Sequence, residues 1–334
     1  MDFTVDSATP AVQASFDATP APRLRAILQS LTRHLHDFVR EIEPTIPEWN
    51  NAIEFLTAVG KACTDTRQEF ILLSDVLGVS MLVETINGQD AGTESTVLGP
   101  FHMTKSPARA LGDSIDEVGG SRVCVVSGTV RSTSGRPLAG ATVDVWQCDE
   151  NGLYDVQVPD VQPAGNGRGL FTTDELGRYW FRTVAPSHYP IPTDGPVGAL
   201  LNATGRHPYR PAHVHFIASA PAHEEVTTHA FVAGSPYIDS DAVFAVKKGL
   251  LVDFCEQPTP NWASVTASSP RSSTPPSTSN WRRLRHSCRP RPRRHDPGTQ
   301  RLTDRVCLVI GVSGVVFSRS RLPPRTNHRA RSLT

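Results

Sequence analysis

The chain has 334 residues, of which 38% are hydrophobic, and its formal net charge is zero. That zero combines two unlike parts, because residues 257–334 hold fifteen Arg, no Lys and only two acidic residues, which leaves residues 1–256 acidic. An acidic main body gives no charge-based case for nucleic-acid binding. The longest apolar run, residues 306–317, has twelve residues and is too short to cross a bilayer. Nucleic acid and membrane are therefore not expected as partners.

Six cysteines occur without a CxxC or other tight spacing. The chain also does not start with a cationic segment followed by an apolar one, which would indicate a signal peptide. A reducing, cytoplasmic setting is the simplest interpretation.

The N-terminal part is predicted to be helical. Residues 1–20 are rich in Ala, Thr, Pro and Ser, and we expect them to be disordered. Apolar residues at helical spacing then predict helices over 22–42, 49–63 and 65–87. Three amphipathic helices enclose little core of their own, so their apolar faces need a partner, either the next domain or a second copy of the chain.

Residues 96–256 have the alternating pattern of β-strands. The segment SRVCVVSGTVRSTSGRPLAGATVDVWQCD predicts two strands around a turn, and LFTTDELGRYWFRTVAP predicts a strand pair turning at residues 174–177. RPAHVHFIASA and EVTTHAFVAG predict two more strands. The chain is thus predicted to be mainly β with an α-helical N-terminal region, its core an antiparallel β-sandwich of seven or eight strands. The long loops 154–171 and 186–210 are the expected location of function.

A pair of histidines is the first candidate for chemistry. His213 and His215 lie two residues apart on a predicted strand, so both imidazoles point to one face and can bind one metal ion. With Tyr154 and Tyr189 they form a set of hard and borderline donors that suits iron(III) better than zinc. Other histidines lie close in sequence, so the residues alone leave the ligand choice open: His188, His207, His223 and His229.

Each candidate also has a purely structural interpretation. Tyr154 can cover the edge of the sandwich, and Tyr189 can anchor its loop through its hydroxyl group. Arg210, three residues before His213, can be an ordinary surface ion pair. The residues alone do not decide between these interpretations and a metal site.

A series of motifs over about residues 22–254 resembles the intradiol ring-cleaving dioxygenases. The motifs are, in order, LGPFH, GLYDVQ, FTTDELGRYWFRTV, YPIPTDGPVGALL, RHPYRPAHVHF and SPYIDSDAVFAVK. The resemblance implies a helical dimerisation region, predicted here as residues 21–95, followed by a β-sandwich catalytic domain, residues 96–256. It also implies one non-haem iron(III) per subunit, O2 as co-substrate, and a homodimer formed through the N-terminal helices, with bound lipid at the interface.

The same resemblance assigns roles to individual residues. Tyr154 is similar to the equatorial tyrosinate ligand, Tyr189 to the axial tyrosinate that leaves when substrate binds, and His213 and His215 to the two histidine ligands. Arg210 matches the active-site arginine that stabilises negative charge on the substrate ring. The pocket-lining positions implied are Leu72, Asp75, Val97, Leu98, Gly99, Pro100, Phe101, Ile191, Pro192, Arg210 and Val243.

Within the family, the chain resembles the branch that cleaves hydroxyquinol (1,2,4-trihydroxybenzene) more than the branch that cleaves catechol. Asp75 is expected to face the pocket, where a carboxylate accepts a hydrogen bond from the third ring hydroxyl that catechol lacks. His229 stands where catechol-cleaving relatives usually have Gln. The predicted product is 3-hydroxy-cis,cis-muconate/maleylacetate. The alternative, catechol cleavage, gives cis,cis-muconate.

Two alternatives from other classes remain at this stage. Non-catalytic transthyretin-like sandwich modules share the strand pattern but lack the two tyrosines and the His-x-His pair. A zinc hydrolase can use His213 and His215 together with an acidic residue. Metal analysis and visible absorption separate these alternatives from an iron(III) tyrosinate enzyme.

The C-terminal part departs from the family pattern. Pro, Ser, Thr and Arg dominate residues 257–334, so we expect a disordered basic tail in which the apolar residues 306–317 are an aggregation hazard. Nothing after Cys255 resembles the usual closing strand of the family. We hypothesise a shifted reading frame and a sandwich that lacks an edge strand. An intact frame on resequencing the 3′ end of the gene would contradict this hypothesis.

Overall fold

The structure, a computed structural model, describes residues 2–65, 67–88, 92–102, 105–256 and 304–317. The chain divides into two compact units, Met1–Lys61 and Ala62–Thr334. The boundary falls inside the region predicted as helical, so the last helices of that region belong to the second unit. The remainder of the predicted tail, residues 257–303 and 318–334, lies outside the described residues.

The first unit is formed by helices α1 (Ala8–Ala14), α2 (Pro22–Ile42) and α3 (Ile46–Ala62). Helix α2 has the predicted bounds, with a proline in its first turn. Helix α3 starts three residues earlier than predicted because of a capping box. The backbone N–H of Thr45 donates to Glu48 at 2.8 Å, and the backbone N–H of Glu48 donates to the hydroxyl of Thr45 at 3.4 Å.

Helix α1 corrects the prediction that residues 1–20 are disordered. Its start is closed by reciprocal hydrogen bonds between Thr4 and Ser7. The helix packs on α2, where the side-chain amides of Gln13 and Gln29 each donate to the other residue's backbone carbonyl at 3.0 and 3.3 Å. Composition suggested disorder, but the alanines favour a helix once α2 offers a surface.

The predicted helix over 65–87 is two helices, α4 (Glu69–Val76) and α5 (Val79–Asn87). Gly78 separates them with a backbone φ of 72°, a conformation that ends a helix and that glycine adopts without strain. A further helix, α6 (Pro196–Ala203), lies inside the segment predicted as a long loop. The helix is only eight residues long, which is too short for hydrophobic periodicity to reveal it.

Two five-stranded sheets form the core of the second unit. One sheet has the order β10–β9–β7–β2–β3, and the other has the order β11–β12–β1–β4 with β8 beside β12. A separate ribbon pairs β5 with β6. The strands are β1 (Arg122–Ser132), β2 (Thr142–Trp146), β3 (Arg168–Thr172), β4 (Arg178–Val184), β5 (Tyr189–Pro190), β6 (Tyr209–Arg210), β7 (His213–Ser219), β8 (His223–Glu224), β9 (Val226–Val232), β10 (Leu251–Val252), β11 (Cys255–Glu256) and β12 (Asp304–Phe317).

The predicted β-sandwich is confirmed. Its long ladders are antiparallel, and short parallel pairs add β10 to β9, and β8 and β11 to β12. Apolar side chains from both sheets fill the space between them, among them Val126 and Phe181 from one sheet and Val143 and Phe216 from the other. Alternation then directs the intervening residues of β2, β7 and β9 to the opposite face of their sheet.

The predicted strand pair around residues 174–177 is not a hairpin. Strand β3 pairs with β2 in one sheet, whereas β4 pairs with β1 in the other. Phe171 and Phe181 point into the same core from opposite sheets and stack with ring centroids 5.2 Å apart. Alternation is the same for a hairpin and for an arch between sheets, so only core packing distinguishes them.

Strand β12 corrects two expectations about the C-terminal part. The residues 304–317 form a strand that pairs antiparallel with β1, from Arg122 opposite Phe317 to Ser132 opposite Val306, with one irregularity. The edge of β1 is therefore covered by β12, whereas the sequence predicts a sandwich that lacks an edge strand. An apolar segment rich in β-branched residues forms backbone hydrogen bonds when it pairs with an open sheet edge. Among the described residues, no helix is both long and apolar enough to cross a membrane.

Candidate metal centre

The His-x-His pair lies on the face of β7 that points away from the sandwich core. Val214, Phe216 and Ala218 of this strand enter the core, so His213 and His215 point to the other side, as alternation predicts. Both imidazoles are fully buried. Their Nε2 atoms are 3.0 Å apart.

Two tyrosines approach the pair from different segments. Tyr154 precedes a short 3₁₀ turn, Asp155–Gln157, in the loop between β2 and β3, and Tyr189 begins strand β5. The hydroxyl of Tyr154 donates to that of Tyr189 at 3.3 Å, and the hydroxyl of Tyr189 lies 3.4 Å from Nε2 of His213. Both side chains are about 1% exposed. The four residues predicted as ligands thus converge.

The spacing of these donors fits a single metal ion. Ligand atoms about 2.0–2.1 Å from a small metal ion lie roughly 3 Å from each other. The successive separations of 3.3, 3.4 and 3.0 Å are within that range. The donor chemistry agrees, since two phenols and two imidazoles bind metal ions through one oxygen or nitrogen each.

Without a cation, burial keeps all four donors neutral. It raises the pKa of Tyr154 well above its usual range and also raises the pKa of Tyr189. Burial, followed by the charge of Arg210, lowers the pKa of His213, and burial with neighbouring imidazoles lowers the pKa of His215. A bound cation reverses the preference of the phenols, because it stabilises the phenolate form.

The tautomer of His213 is fixed by the backbone. Its Nδ1–H donates to the carbonyl of Pro211 at 2.7 Å, so the lone pair of Nε2 faces the cluster. His215 is held differently: its ring stacks on Trp146 with centroids 4.5 Å apart and an interplanar angle of 11°. Its Nδ1 has no hydrogen-bond partner among the described residues.

A third imidazole, His229, adjoins the pair. It lies directly opposite His215 in the β7–β9 ladder, and the ligand atoms of His213, His215 and His229 lie within 4.8 Å of one another. The Nδ1 of His229 is hydrogen-bonded to the hydroxyl of Thr96, which directs Nε2 toward Arg210 at 3.5 Å. In the sequence His229 is typical of the hydroxyquinol branch, but the predicted site residues do not include it.

Arg210 is buried beside the cluster and carries the positive charge of the site. Although burial lowers the pKa of this guanidinium, the charge of Asp241 raises it above its ordinary value. Its Nε lies 3.1 Å and its Nη2 3.4 Å from the carboxylate of Asp241, while Nη1 lies 3.4 Å from Nε2 of His213. The surface ion pair considered from the sequence is thus a buried one. Asp241 was missed, because nothing in its local sequence distinguishes it.

The neighbour of Tyr154 anchors the loop that carries it. Asp155 accepts three hydrogen bonds from Arg168, at 2.7, 2.9 and 3.1 Å, and both side chains are buried. It also accepts the backbone N–H of Gly165 at 2.8 Å. A two-pronged charged contact of this kind ties the middle of the loop between β2 and β3 to the first residue of β3.

Several predicted pocket residues lie against these donors. Phe101 stacks on Tyr154 with centroids 4.5 Å apart, and a Cβ on Gly99 would lie 3.1 Å from the ring of His215. Val243 donates its backbone N–H to Asp241. The remaining apolar positions differ in burial: Leu72, Val97 and Ile191 are buried, Pro100 and Pro192 are half-buried, and Leu98 is exposed.

Asp75 is the unusual member of the predicted pocket. The residue is 1% exposed on helix α4, and neither carboxylate oxygen has a hydrogen-bond partner among the described residues. Burial raises its pKa, and the nearby hydroxyl of Ser80 and then the charge of Arg210 oppose that rise, so the carboxylate and the guanidinium lie within electrostatic range. A buried carboxylate whose oxygens have no hydrogen-bond partner can accept a hydrogen bond from a bound ligand.

The fold and this cluster together define a β-sandwich protein with a buried tyrosine–histidine cluster whose spacing fits a metal ion. Comparison with known proteins narrows the class. The family profile described as "Dioxygenase" matches residues 99–265, and the profile described as "Catechol dioxygenase N terminus" matches residues 21–94. The first match extends beyond Cys255, where the family pattern was expected to end.

Individual relatives agree with the profiles. The chain is 54% identical to a hydroxyquinol 1,2-dioxygenase of Rhizobium sp. (strain MTP-10005) over 70% of this chain and 80% of the relative. It is 48% identical to a 6-chlorohydroxyquinol 1,2-dioxygenase of Cupriavidus pinatubonensis, over 77% of this chain and 93% of that relative. A solved hydroxyquinol 1,2-dioxygenase from Pseudomonas putida DLL-E4 superposes with a TM-score of 0.71 at 48% identity, covering 76% of this chain and 89% of that one.

The chain belongs to the intradiol ring-cleavage dioxygenase family. The family predicted from the sequence motifs is confirmed, and its members are enzymes that open an aromatic diol ring with O2. Family membership removes the zinc hydrolase and the non-catalytic sandwich module from consideration.

We predict that Gly152→Ala separates the two tyrosines. Gly152 has a φ of +83°, and a Cβ there would lie 2.9 Å from the carbonyl oxygen of His188 and 3.0 Å from Cβ of Tyr189. The loop of Tyr154 must therefore move away from β5. Gly135→Ala is the matched control, because its φ is +89° and a Cβ would meet nothing within 4 Å.

In both variants an alanine must adopt a positive φ, which costs about 1–3 kcal/mol of stability. Only in Gly152→Ala does the new Cβ also come too close to His188 and Tyr189. Urea unfolding should give a larger loss of unfolding free energy for Gly152→Ala, and metal titration followed by protein fluorescence should give weaker binding for that variant alone. Equal behaviour of the two variants would contradict this reading of the contact.

Proposed function

We propose that this chain is a non-haem iron(III) enzyme that cleaves hydroxyquinol between adjacent hydroxylated carbons with O2. The product is 3-hydroxy-cis,cis-muconate/maleylacetate. The observation that carries the proposal is the convergence of Tyr154, Tyr189, His213 and His215 beside the unpartnered carboxylate of Asp75. The relatives named for hydroxyquinol support the same substrate.

The donor set supports iron(III) over a divalent ion. Two phenolates and one hydroxide neutralise a 3+ ion, and phenolate oxygen is a hard donor that suits a hard, trivalent cation. When bound, iron(III) supplies a Lewis-acidic centre that holds the substrate diol and makes its ring reactive toward dioxygen. We propose Tyr154, Tyr189, His213 and His215 as its ligands, with one ion per subunit.

The residues of the chain supply the remaining functions. The ion pair between Asp155 and Arg168 holds the loop in place directly beside Tyr154, so Tyr154 is the ligand suited to stay bound. Tyr189 sits on a two-residue strand, and the phenolate that a bound cation would stabilise there is suited to accept one proton of the diol as the tyrosine leaves the ion. Arg210, held beside His213, donates hydrogen bonds to negative charge that develops on the ring. The stacked ring of Phe101 covers Tyr154 and excludes water.

Asp75 is proposed to select the substrate. Hydroxyquinol has a third hydroxyl that can donate to this carboxylate, whereas catechol has none. A site with a buried acceptor discriminates against a ligand that leaves the acceptor unpaired. Catechol cleavage to cis,cis-muconate remains the second candidate, because the metal ligands alone do not distinguish the two diols.

We predict that iron(III) addition to the metal-free protein produces a broad visible absorption from tyrosinate-to-iron charge transfer, and that O2 uptake then follows addition of hydroxyquinol. Tyr154→Phe should weaken and shift the absorption, because it removes one of the two phenolates while it keeps the ring. Phe3→Tyr, which adds a phenol at an exposed position, is the control and should not alter the spectrum. A colourless protein after iron addition, or zinc bound in its place, would contradict the proposal.

We predict that Asp75→Asn lowers kcat/KM for hydroxyquinol roughly 10–100-fold, the factor that corresponds to losing a hydrogen bond to a charged group. Catechol serves as the internal control, since it has no hydroxyl for Asp75 and its kcat/KM should change little. The measurement is O2 uptake with each substrate. An equal loss on both substrates would assign Asp75 a structural role.

We also propose that the helical region pairs with a second copy of the chain. Leu24, Leu31 and Phe38 recur every seven residues on α2 and are 48%, 51% and 57% exposed, which is unusual for large apolar side chains on one face. An apolar stripe of this kind suits a second copy, with lipid filling gaps at the interface.

Leu31→Glu should shift the protein toward the mass of one chain in sedimentation velocity, because it places a charge in the apolar stripe. Ser30→Glu adds the same charge one residue away at an exposed position and should leave the mass unchanged. Two variants with the same mass would contradict the proposed interface.

A reducing, cytoplasmic location is proposed from the cysteines. Cys124 and Cys148 are free thiols, and both are buried. Free thiols persist where glutathione and thioredoxin keep them reduced. Mass spectrometry of the protein from its native cell, with thiols alkylated on lysis, tests this.

A further inference from the structure

The segment from Tyr237 to Phe244 is held by contacts at both ends. Tyr237 and Phe244 have positive φ angles of 67° and 60°, which aromatic residues rarely adopt. The ring of Tyr237 stacks on Tyr209 with centroids 4.8 Å apart and an angle of 9°, and the guanidinium of Arg206 lies 5.2 Å from the ring of Phe244. Strained backbone at two positions indicates that the surrounding contacts over-determine this segment.

The middle of the segment faces Arg210. Asp241 is 5% exposed, and its carboxylate faces Nε and Nη2 of Arg210 at 3.1 and 3.4 Å. The same carboxylate accepts the backbone N–H groups of Val243 at 3.4 Å and Ala245 at 3.0 Å. These bonds fix the carboxylate relative to its own backbone, so it is a rigid acceptor rather than a mobile one.

The contacts of Arg210 leave one side of its guanidinium available. Asp241 contacts Nε and Nη2, and His229 lies 3.5 Å from Nη2. Nη1 remains on the side of His213 and the metal-binding donors. Rotation of the guanidinium would break the contacts with Asp241, so the carboxylate determines which nitrogen faces the substrate.

Arg206 ties this segment to helix α4. Its Nη1 donates to the carbonyl of Val76 at 2.6 Å, and its Nη2 donates to the carbonyl of Ala242 at 3.0 Å. Val76 follows Asp75 directly. The segment that positions Arg210 is thus connected to the helix that carries the proposed selector of the third hydroxyl.

We propose that Asp241 is a positioning residue that acts through Arg210, by holding the guanidinium so that Nη1 faces the reacting ring. This inference rests on the proposed role of Arg210 in ring cleavage. Among the described residues, the hydrogen bonds of Asp241 are with Arg210 and with backbone N–H groups of its own segment, so its effect on turnover should disappear when Arg210 is absent.

A double-mutant cycle with Asp241→Asn and Arg210→Gln tests the proposal. In the iron-loaded enzyme, Asp241→Asn should lower kcat for hydroxyquinol by about 10²-fold, the effect of a misplaced catalytic group, and should change KM much less. In the Arg210→Gln background the same substitution should change kcat less than about threefold. Asp239→Asn, an exposed carboxylate two residues earlier, is the control and should keep wild-type kinetics.

Thermal unfolding of the metal-free protein gives a readout that does not depend on turnover. Asp241→Asn leaves a buried cation without its counter-charge, so it should unfold at a lower temperature than the double variant, in which both charges are gone. A single variant that fails to fold while the double variant folds would also support the pairing.

The outcomes separate this inference from the proposed function. Loss of activity in Arg210→Gln with wild-type kcat in Asp241→Asn would overturn the positioning role and leave the function standing. Equal losses caused by Asp241→Asn in both backgrounds, with equal unfolding temperatures of single and double variants, would assign Asp241 a structural role only. Wild-type kcat in Arg210→Gln would instead overturn the proposed role of Arg210.

Discussion

The burial of polar donors on the outer face of one sheet is the constraint on which the site depends. Tyr154, Tyr189, His213 and His215 are at most about 1% exposed, and their ligand atoms face one another across 3.0–3.4 Å. Burial keeps the phenols and the imidazoles neutral, so little electrostatic repulsion prevents this close approach. A cation changes the balance, because it converts the phenols to phenolates and gives each lone pair a partner.

The surroundings hold these donors by contacts of different strength. The two-pronged Asp155–Arg168 ion pair restrains the loop of Tyr154, whereas Tyr189 depends on a ribbon of two residues per strand. His213 is fixed by a backbone carbonyl, and His215 by stacking on Trp146. This difference agrees with the roles proposed for the two tyrosines, since a retained ligand must resist displacement and a leaving ligand must permit it.

Charge is arranged asymmetrically around the donors. Arg210 is the cation, Asp241 balances it from behind, and Asp75 is a second carboxylate whose oxygens have no hydrogen-bond partner among the described residues. An unpaired buried carboxylate lowers stability, so this group is suited to accept a hydrogen bond from a bound ligand. Arg210 and Asp241 thus balance charge in the free protein, and Asp75 is the group proposed to recognise a third ring hydroxyl.

Local patterns in the sequence were sufficient for a large part of this picture. Alternation placed His213 and His215 on one face of a strand, helical spacing gave α2 its bounds, and the ordered motifs gave the family. These features depend on residues near one another in the chain. Asp241 became part of the site only through contact with Arg210, 31 residues away, and no local pattern encodes that contact.

Tertiary structure alone decided the remaining features. Strands β3 and β4 belong to different sheets because Phe171 and Phe181 share one core, and residues 304–317 form a strand because the edge of β1 offers unpaired backbone groups. His229 joined the histidine pair through the β7–β9 register. The sequence by itself determined which side chains carry the chemistry, because residue type and local spacing are written in it. Which distant groups orient and balance them was decided by packing, because those contacts exist only when separate segments meet.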